Sequence, residues 1–164
     1  MDEVDRIVAA WRRERPDLDV SPMEILSRVS RLARQLDLAR KASFSDYGIE
    51  GWAFDVLSAL RRAGEPYQLS PSTLLQETLV TSGTMTNRID RLVARGWVER
   101  RPDPGDRRGV LVHLTDSGRA TVDSALADLL VKEREILSGL TPSGSRKLAG
   151  LLRELSTGFD GSED

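Results

Sequence analysis

A change in hydrophobic period between residues 81 and 115 constrains the fold more than any other feature of the sequence. Residues 81–96, TSGTMTNRIDRLVARG, space their apolar side chains three and four apart, which predicts an amphipathic helix that ends at Gly96. Residues 97–102 and 109–115 then read as two strands, and the charged, turn-rich residues 103–108 join them as a hairpin tip. The chain must therefore fit a short antiparallel hairpin into an otherwise helical structure.

Helix-like segments flank this hairpin on both sides. The sequence predicts helices over Val4–Arg15, from Ser21-Pro22 to near Gly48, over Glu50–Arg62, from Ser70-Pro71, from Thr115 and from Thr141-Pro142. Ser21 and Glu24 are expected to form a capping box. The helix after them is expected to bury an apolar stripe made of Ile25, Leu26, Val29, Leu32, Ala33 and Leu36. Two helices joined by a tight turn and followed by a hairpin predict a winged helix-turn-helix, so the fold class is mainly α with a small β-hairpin.

Residue types exclude several functions. With no cysteine and with His113 as the single histidine, the sequence excludes a cysteine-ligated metal and a histidine metal cluster, and no metal or cofactor is expected. No apolar run approaches the roughly 18 residues of a membrane span, and the charged N-terminus MDEVDRIVAAWRRERPD lacks a signal-peptide core, so a cytoplasmic protein is expected. An enzyme is not expected, because Asp55 and Arg62 could be imagined as a catalytic pair but no nucleophile motif or phosphate loop accompanies them.

Charge is distributed unevenly along the chain. The whole chain carries −2, but residues 85–108 hold seven arginines and four acidic residues, a local charge of +3. Residues 1–24 and 116–164 each carry −3. A basic centre between acidic ends indicates a surface for a polyanion. A solvated charged face is the alternative that charge alone leaves open.

The helix that begins after Thr81 has the composition of a DNA-reading helix. Met85, Ile89 and Leu92 share its core face, while short polar residues occupy its N-terminus. Small side chains let a helix end enter the major groove, where hydroxyl, amide and guanidinium groups bond base edges or phosphates. The alternative is that the hydroxyl residues only cap the helix. The predicted DNA-contacting residues of this helix are Ser82, Gly83, Thr84, Thr86, Asn87 and Arg91.

The hairpin tip supplies the second part of the predicted interface. Arg107 and Arg108 lie at or beside the tip, and such a hairpin can insert an arginine into a narrow minor groove. Asp106 is expected to hold that arginine in position. A solvated turn with surface charges is the alternative, but the combination of this helix with this hairpin favours double-stranded DNA as the partner.

The segment SGTMTNRIDRLVARGWVERRPDPGDRRGVLVHLTDSGR resembles the winged-helix core of the MarR family of bacterial transcription regulators. Asp106-Arg107-Arg108 followed by Leu114-Thr115 resembles the wing signature of that family, and the likeness extends over nearly the whole chain. It implies an obligate homodimer whose two recognition helices bind the half-sites of a pseudo-palindrome. It also implies a repressor that a ligand releases from DNA.

The leucine-rich faces of the last two predicted helices independently favour a dimer. They exceed what a small winged-helix core covers, whereas the alternative is an intramolecular helical hairpin. The expected organisation is 1–48 for N-terminal helices that serve dimerisation and the ligand pocket, 49–115 for DNA binding, 116–160 for C-terminal dimerisation helices and 161–164 for a disordered tail.

Arg88 lies at the edge of the core face of the recognition helix, where it is placed to point back along the protein. Asp55 and Arg62 share a face of the third helix but stand about 10 Å apart along its axis, too far for a simple ion pair. The urate-responsive subgroup of the MarR family has a tryptophan on an extra N-terminal helix, an aspartate, an arginine seven residues later and an arginine on the recognition helix. The resemblance of Trp11, Asp55, Arg62 and Arg88 to this set implies an effector pocket. Trp52, by contrast, is interpreted as a packing residue.

Two classes of anion remain open for this pocket. The whole chain, including WRRERPDLDVSP, resembles regulators of a trans-aconitate methyltransferase, which implies a tricarboxylate such as citrate or trans-aconitate. Arg12, Arg13 or Arg61 could then supply extra positive charge. Urate is the alternative, because it makes fuller use of a stacking tryptophan. A protein-interaction module that does not bind DNA is the more distant alternative.

Overall fold

The computed structural model describes residues 1–78 and 81–158. Within these ranges the helices are α1 (Glu3–Glu14), α2 (Pro22–Ser45), α3 (Gly51–Arg62), α4 (Pro71–Thr78), α5 (Ser82–Ala94), α6 (Asp116–Leu137) and α7 (Pro142–Thr157), and the strands are β1 (Gln68–Leu69), β2 (Val98–Asp103) and β3 (Asp106–Leu114). The predicted fold class, mainly helical with a small antiparallel sheet, is confirmed. No helix in the described ranges is both long enough and apolar enough to cross a bilayer. The tail predicted to be disordered, 161–164, lies outside the described residues.

The main core lies between α3, α5, α6 and the sheet. Helix α3 is buried along most of its length because apolar residues occupy most of its surface. At the other end of this core, the rings of Phe44 on α2 and Phe54 on α3 stack with their centroids 4.3 Å apart. This pair joins the C-terminal end of α2 to the winged-helix core. The fully buried side chains include Leu57, Leu60, Leu74, Met85, Leu92, Val98, Val112 and Val122.

The β-hairpin has a shorter turn than the sequence predicts. The sheet order is β1-β3-β2, all antiparallel, and Asp103 pairs directly with Asp106 across a turn of only Pro104 and Gly105. Arg107 and Arg108 therefore belong to β3 instead of to a six-residue tip. Gly109 permits this close pairing, because a Cβ atom at that position would lie 2.9 Å from the Cβ of Asp103. The wing is consequently a paired ribbon almost to its end.

Helix α2 does not bury its apolar stripe within one chain. Ile25 is 61% exposed, Leu26 54% and Leu32 49%, and Val29, Ala33 and Leu36 are also exposed. The sequence-based expectation was wrong here because helical periodicity identifies which face is apolar but not what covers it. Helix α6 buries Val122, Ala125 and Leu129, and no residue of α7 is buried within its described length. The three helices leave a large apolar surface exposed.

Helix starts are capped at some of the predicted sites but not at all of them. Thr115 and Thr141 accept hydrogen bonds from backbone N–H groups at the starts of α6 and α7, at 3.0 and 3.1 Å. Ser21 makes no side-chain capping hydrogen bond, and its own N–H donates to Asp19 Oδ1 at 2.9 Å. The predicted capping box is therefore wrong. The carboxylate of Glu24, which it would have used, pairs instead with Arg12 of α1 at 2.5 Å.

Helix α1 packs along the N-terminal half of α2. A small separate core of Val4, Val8 and Val20 holds the two segments together. Arg28 reaches from α2 to two carboxylates at the start of α1, those of Asp2 at 2.8 Å and Asp5 at 2.6 Å. Hydrogen bonds from Arg28 lower the pKa of Asp2, and a backbone hydrogen bond and Arg28 together lower the pKa of Asp5. Both carboxylates are therefore ionised at neutral pH.

Candidate nucleic-acid interface and effector pocket

The polar N-terminus of α5 is exposed in the structure. Met85, Ile89 and Leu92 are buried, which fixes the rotation of the helix about its own axis. The opposite side is thereby turned outward. Every predicted DNA-contacting residue of this helix is exposed: Ser82, Gly83, Thr84, Thr86, Asn87 and Arg91.

The hydroxyl residues at the start of α5 are not used to cap the helix. Thr81 stands at the N-cap position but makes no side-chain capping hydrogen bond. Its hydroxyl lies 2.9 Å from that of Thr84. Unfilled first-turn N–H groups and the helix dipole together favour an anion at this end of a helix. Gly83 is also unconstrained by packing, because a Cβ at that position would meet no atom within 4 Å.

Two arginines of α5 lie over the indole of Trp52 on α3. The guanidinium carbon of Arg91 is 4.6 Å from the ring centroid, and that of Arg88 is 5.6 Å from it. Arg91 also pairs with Glu50 at 2.6 Å. Trp52 was interpreted from the sequence as a packing residue. It packs against the core as expected, but it also lines a surface cavity of about 430 Å³ with Gly83, Thr84, Asn87, Arg88 and Arg91.

The wing carries its acidic and basic residues in defined contacts. Asp106 Oδ1 accepts a hydrogen bond at 2.9 Å from the backbone N–H of Arg108, which fixes the strand backbone at that point. The predicted role of the Arg107 side chain lies outside what the structure describes. Arg100 pairs with Asp90 at 2.6 Å and Arg101 with Glu99 at 2.5 Å. The positive charge of this region is thus partly neutralised within the chain.

Asp55 and Arg62 line one shallow cavity of about 180 Å³ together with Glu77 and Thr78. Each is already paired: Asp55 with Arg40 at 2.8 Å and Arg62 with Glu77 at 3.2 Å. Neither Arg40 nor Glu77 was predicted from the sequence as a partner of these residues. Glu77 lies fifteen residues along the chain from Arg62 and carries no local signal. An anion entering this cavity meets Arg62, whose present partner Glu77 is a carboxylate that the anion can replace.

Arg40 is the cation closest to Asp55. Its guanidinium carbon lies 5.5 Å from the ring centroids of both Phe44 and Phe54, which holds it in place beside the aromatic pair. The Arg40–Phe44 spacing of four on one helix is a signal that could have drawn attention to it. The three arginines suggested from the sequence as extra charge are engaged elsewhere: Arg12 with Glu24, Arg13 with Glu14 and Arg61 with Asp123.

The four predicted effector residues do not meet in one cavity of a single chain. Asp55 and Arg62 line the 180 Å³ cavity, and Arg88 lines the separate cavity beside Trp52. Trp11 lines neither cavity and is 46% exposed on α1. Trp52 and Asp55 are three residues apart on α3, so one helix face connects the two cavities. Within residues 1–78 and 81–158, no group of three or more His, Cys, Asp or Glu side chains is arranged to hold a metal ion.

Residues 47–109 match the MarR family, a range that begins just before α3 and ends in β3. Over 150 residues the chain is 41% identical to the HTH-type transcriptional regulator PecS of Dickeya dadantii, and the match covers 92% of this chain and 90% of PecS. The similarity therefore extends well beyond residues 47–109.

Two solved structures show the same arrangement. Mutant MarR from E. coli complexed with operator DNA has a TM-score of 0.68 and 32% identity, over 84% of this chain and 99% of that one. BpsR of Bordetella bronchiseptica, whose DNA binding is regulated by 6-hydroxynicotinic acid, has a TM-score of 0.67 and 29% identity, over 80% of this chain and 92% of that one. One of these relatives is seen on DNA, and the other responds to a small aromatic acid.

Proposed function

The chain belongs to the MarR family of transcriptional regulators, and we propose that it is a homodimeric repressor that a small anionic metabolite releases from a pseudo-palindromic operator. The recognition helix is α5 and the wing is the β2–β3 hairpin. Two copies related by a two-fold axis present two α5 helices to half-sites about one helical turn apart.

The first turn of α5 is the observation that carries the DNA-binding proposal. Its short polar side chains are exposed, and Thr81 does not cap the helix. The alternative that these residues serve only as a cap is weakened by this geometry. In the proposed complex, first-turn N–H groups bind a phosphate, and Asn87 reaches a base edge in the major groove. Arg108 contacts the backbone or the minor groove from the wing.

The exposed apolar faces of α2, α6 and α7 support the homodimer. Leu151 is 53% exposed, Leu155 46% and Leu126 40%, in addition to the stripe on α2. Each leucine that passes from exposed to fully buried contributes about 1.5–3 kcal/mol. A second copy of the same chain covers these faces by an isologous contact, in which both chains use the same combined surface.

The effector site we propose is built around the Asp55–Arg62 cavity. A carboxylate of the ligand replaces Glu77 on Arg62, since guanidinium binds carboxylates in a bidentate manner. Arg40 keeps Asp55 neutralised, so the cavity accepts an anion without strong repulsion from that carboxylate.

Helix α3 connects this cavity to DNA recognition. Asp55 lies one turn after Trp52, whose indole supports Arg88 and Arg91 of α5. A ligand that shifts α3, or that draws Arg88 away from the indole, changes the position of the recognition helix. A coupling free energy of about 1–3 kcal/mol, typical of such linked sites, lowers DNA affinity roughly 5- to 150-fold.

A tricarboxylate remains our preferred effector, and urate or another aromatic anion is the second candidate. The guanidinium of Arg62, which can take a carboxylate in place of Glu77, favours the tricarboxylate. The response of BpsR to 6-hydroxynicotinic acid supports the aromatic class. Citrate, trans-aconitate and urate are therefore the probes to compare.

Fluorescence anisotropy with DNA that flanks the gene of this protein tests the proposal. The wild-type protein should bind with strong salt dependence, because phosphate contacts release counterions. The double variant Asn87→Ala/Arg108→Ala should lose at least tenfold in affinity, while Arg146→Ala, an exposed arginine on α7, serves as the matched control. Each anion is then titrated into the complex.

Two results would contradict the proposal in different ways. Unchanged DNA binding by the double variant would remove the assigned interface and favour the protein-interaction alternative. DNA binding that no anion weakens, with Arg62→Ala behaving as the wild type does, would remove the effector site but leave the DNA reader intact.

A further inference from the structure

The turn that ends α5 is fixed to that helix by backbone hydrogen bonds. Gly96 has a φ of 69°, a left-handed conformation that glycine adopts at little cost. The N–H of Gly96 donates to the carbonyl of Val93 at 2.9 Å, and the N–H of Trp97 donates to that of Leu92 at 3.1 Å. These bonds satisfy carbonyls that the end of a helix otherwise leaves free. The carbonyl groups of Gly96 and Trp97 therefore keep a defined position relative to the recognition helix.

Thr115 joins this turn to the start of α6. Its hydroxyl donates to the carbonyl of Gly96 at 2.7 Å and accepts from the N–H of Gly118 at 3.0 Å. Its backbone N–H donates to the carbonyl of Trp97 at 3.1 Å. One residue thus caps α6 and ties that helix to the end of α5.

Gly118 brings α6 into close contact with the same turn. A Cβ atom at this position would overlap the carbonyl oxygen of Trp97 and would lie 2.9 Å from its carbonyl carbon. A backbone carbonyl cannot rotate aside as the end of a flexible side chain can. Any side chain at residue 118 must therefore move the start of α6 away from the turn.

The other contacts of this part of α6 restrain its angle less strictly. Val122 is buried in the core, but apolar contacts have no preferred direction. The ion pair of Arg61 with Asp123, at 2.9 Å, is partly exposed, and such pairs hold their geometry weakly. Hydrogen bonds weaken steeply when they are bent. The bonds of Thr115 and the close approach at Gly118 are therefore the directional contacts between α6 and the end of the recognition helix.

The remainder of α6 converts a small change of angle into a large displacement. Leu126, Leu130 and Val131 are exposed apolar residues of the surface that the proposed dimer covers. Leu130 lies roughly 18 Å beyond Gly118 along the helix axis, at about 1.5 Å per residue. A tilt of about 10° at the start of α6 moves that position by about 3 Å, close to the roughly 3.4 Å between successive bases. Looseness at the start of α6 thus becomes an error in the distance between two recognition helices.

We propose that Thr115 and Gly118 are positioning residues for DNA recognition. They fix the angle between α6 and the end of α5, and they thereby set the half-site spacing that the dimer accepts. This inference rests on the homodimeric DNA reader proposed above. Neither residue needs to touch DNA, because both act through the Gly96–Trp97 turn.

Operators with altered spacing test this role. The two half-sites are located by footprinting on the flanking DNA, and duplexes are made with one or two base pairs inserted or removed between them. Fluorescence anisotropy gives the dissociation constant of each duplex. The wild-type protein should favour one spacing. Thr115→Val removes the hydroxyl but keeps a β-branched side chain of nearly the same shape, and the ratio of affinities for the best and next-best spacing should fall at least fivefold. Thr115→Ser retains the hydroxyl and should keep the wild-type ratio.

Thr141 provides a matched control because it caps α7 in the same way. Its hydroxyl accepts from the N–H of Gly144 at 3.1 Å, and within the described part of the chain it bonds no second element. Thr141→Val should therefore lower the thermal midpoint about as much as Thr115→Val does. Its spacing ratio should stay within about twofold of the wild type. Sedimentation establishes that the variants being compared are dimers.

Gly118→Ala tests the close approach separately from the hydroxyl. Because the added Cβ displaces α6, the optimum should move to another spacing or become at least fivefold less sharp. If this variant does not fold, the comparison of Thr115→Val with Thr115→Ser and Thr141→Val decides alone.

Three results would overturn the inference and leave the DNA reader intact. They are a wild-type spacing ratio in Thr115→Val dimers, an equal loss of that ratio in Thr141→Val, and wild-type protein that binds every spacing equally well. Wild-type protein that binds none of the duplexes would instead overturn the proposed function, and this inference with it.

Discussion

The guanidinium of Arg88 lies over the indole of Trp52, with 5.6 Å between its central carbon and the ring centroid. This contact joins the recognition helix to α3, the helix that carries Asp55 and Arg62. Arg91, three residues further along α5, lies over the same ring at 4.6 Å. One aromatic side chain therefore supports two arginines of the proposed DNA-reading helix and stands one turn from the proposed effector cavity.

Replacement of Trp52 should weaken the connection between ligand and DNA. Cation–π contacts are worth about 0.5–1 kcal/mol each at exposed sites, so Trp52→Leu should reduce DNA affinity about 2- to 10-fold and diminish the effector response. Trp52→Phe keeps an aromatic face and should stay closer to the wild type in both assays. Anisotropy titrations with and without effector check this expectation. If Trp52→Leu and Trp52→Phe have the same DNA affinity and the same effector response, then packing and not the aromatic face determines the effect of this residue.

Gly83→Gln should separate folding from DNA binding. A side chain at Gly83 meets no atom of the chain, and replacing a helical glycine gains up to about 1 kcal/mol in helix propensity. The thermal midpoint should therefore be unchanged or higher. DNA affinity should fall at least tenfold, because the new side chain holds the helix end away from the groove floor. Ala94→Gln, at the exposed far end of α5, is the control and should leave DNA affinity within about twofold.

Leu32→Glu should dissociate the homodimer. Leu32 lies in the stripe on α2 and is 49% exposed in the single chain, so the monomer tolerates the charge. Burying that carboxylate against a second apolar stripe costs several kcal/mol. Sedimentation should show monomers, and operator binding should weaken at least a hundredfold. Arg34→Glu adds the same side chain to the opposite face of α2, and this variant should remain dimeric. If it is monomeric instead, the interface lies on that opposite face of α2.

Acidification should release α1 from α2. The pKa values of Asp2 and Asp5 are lowered below their usual 3.8 by hydrogen bonds that include those from Arg28. A lowered pKa in the folded state means that the contribution to stability is present above 3.8 and is lost as the pH falls below that value. The protection factors of the α1 amides, which allow for the slower intrinsic exchange in acid, should be high at pH 6 and should fall below pH 3.8 before those of the core do. Arg28→Gln should make α1 exchange fast already at pH 6, and slow exchange there would show that the small valine core suffices.

The helix boundaries could be predicted from the sequence, but the residues that contact each helix could not. Proline, glycine and capping residues mark where α2, α4 and α5 begin or end, and the structure places those ends within a few residues of the expected ones. The hairpin turn was predicted too long, because Asp103 and Asp106 look like turn residues although they pair across the strands. Local composition does not reveal such a pairing.

The parts of the candidate site that depend on distant contacts were not predictable. Arg40 and Glu77 each lie fifteen residues from the charge they neutralise, and an arginine on a helix surface usually has no fixed partner. The stripe on α2 was expected to be buried, and in the single chain it is exposed. Periodicity cannot distinguish a core of one chain from an interface between two.

The absence of any buried residue along the described length of α7 has a consequence during synthesis. A newly made copy carries the leucines of this helix uncovered until a partner surface covers them. Chains in that condition are substrates for chaperones and proteases. The steady-state abundance of the protein should consequently rise more steeply than its rate of translation, so that weak expression yields disproportionately little of it.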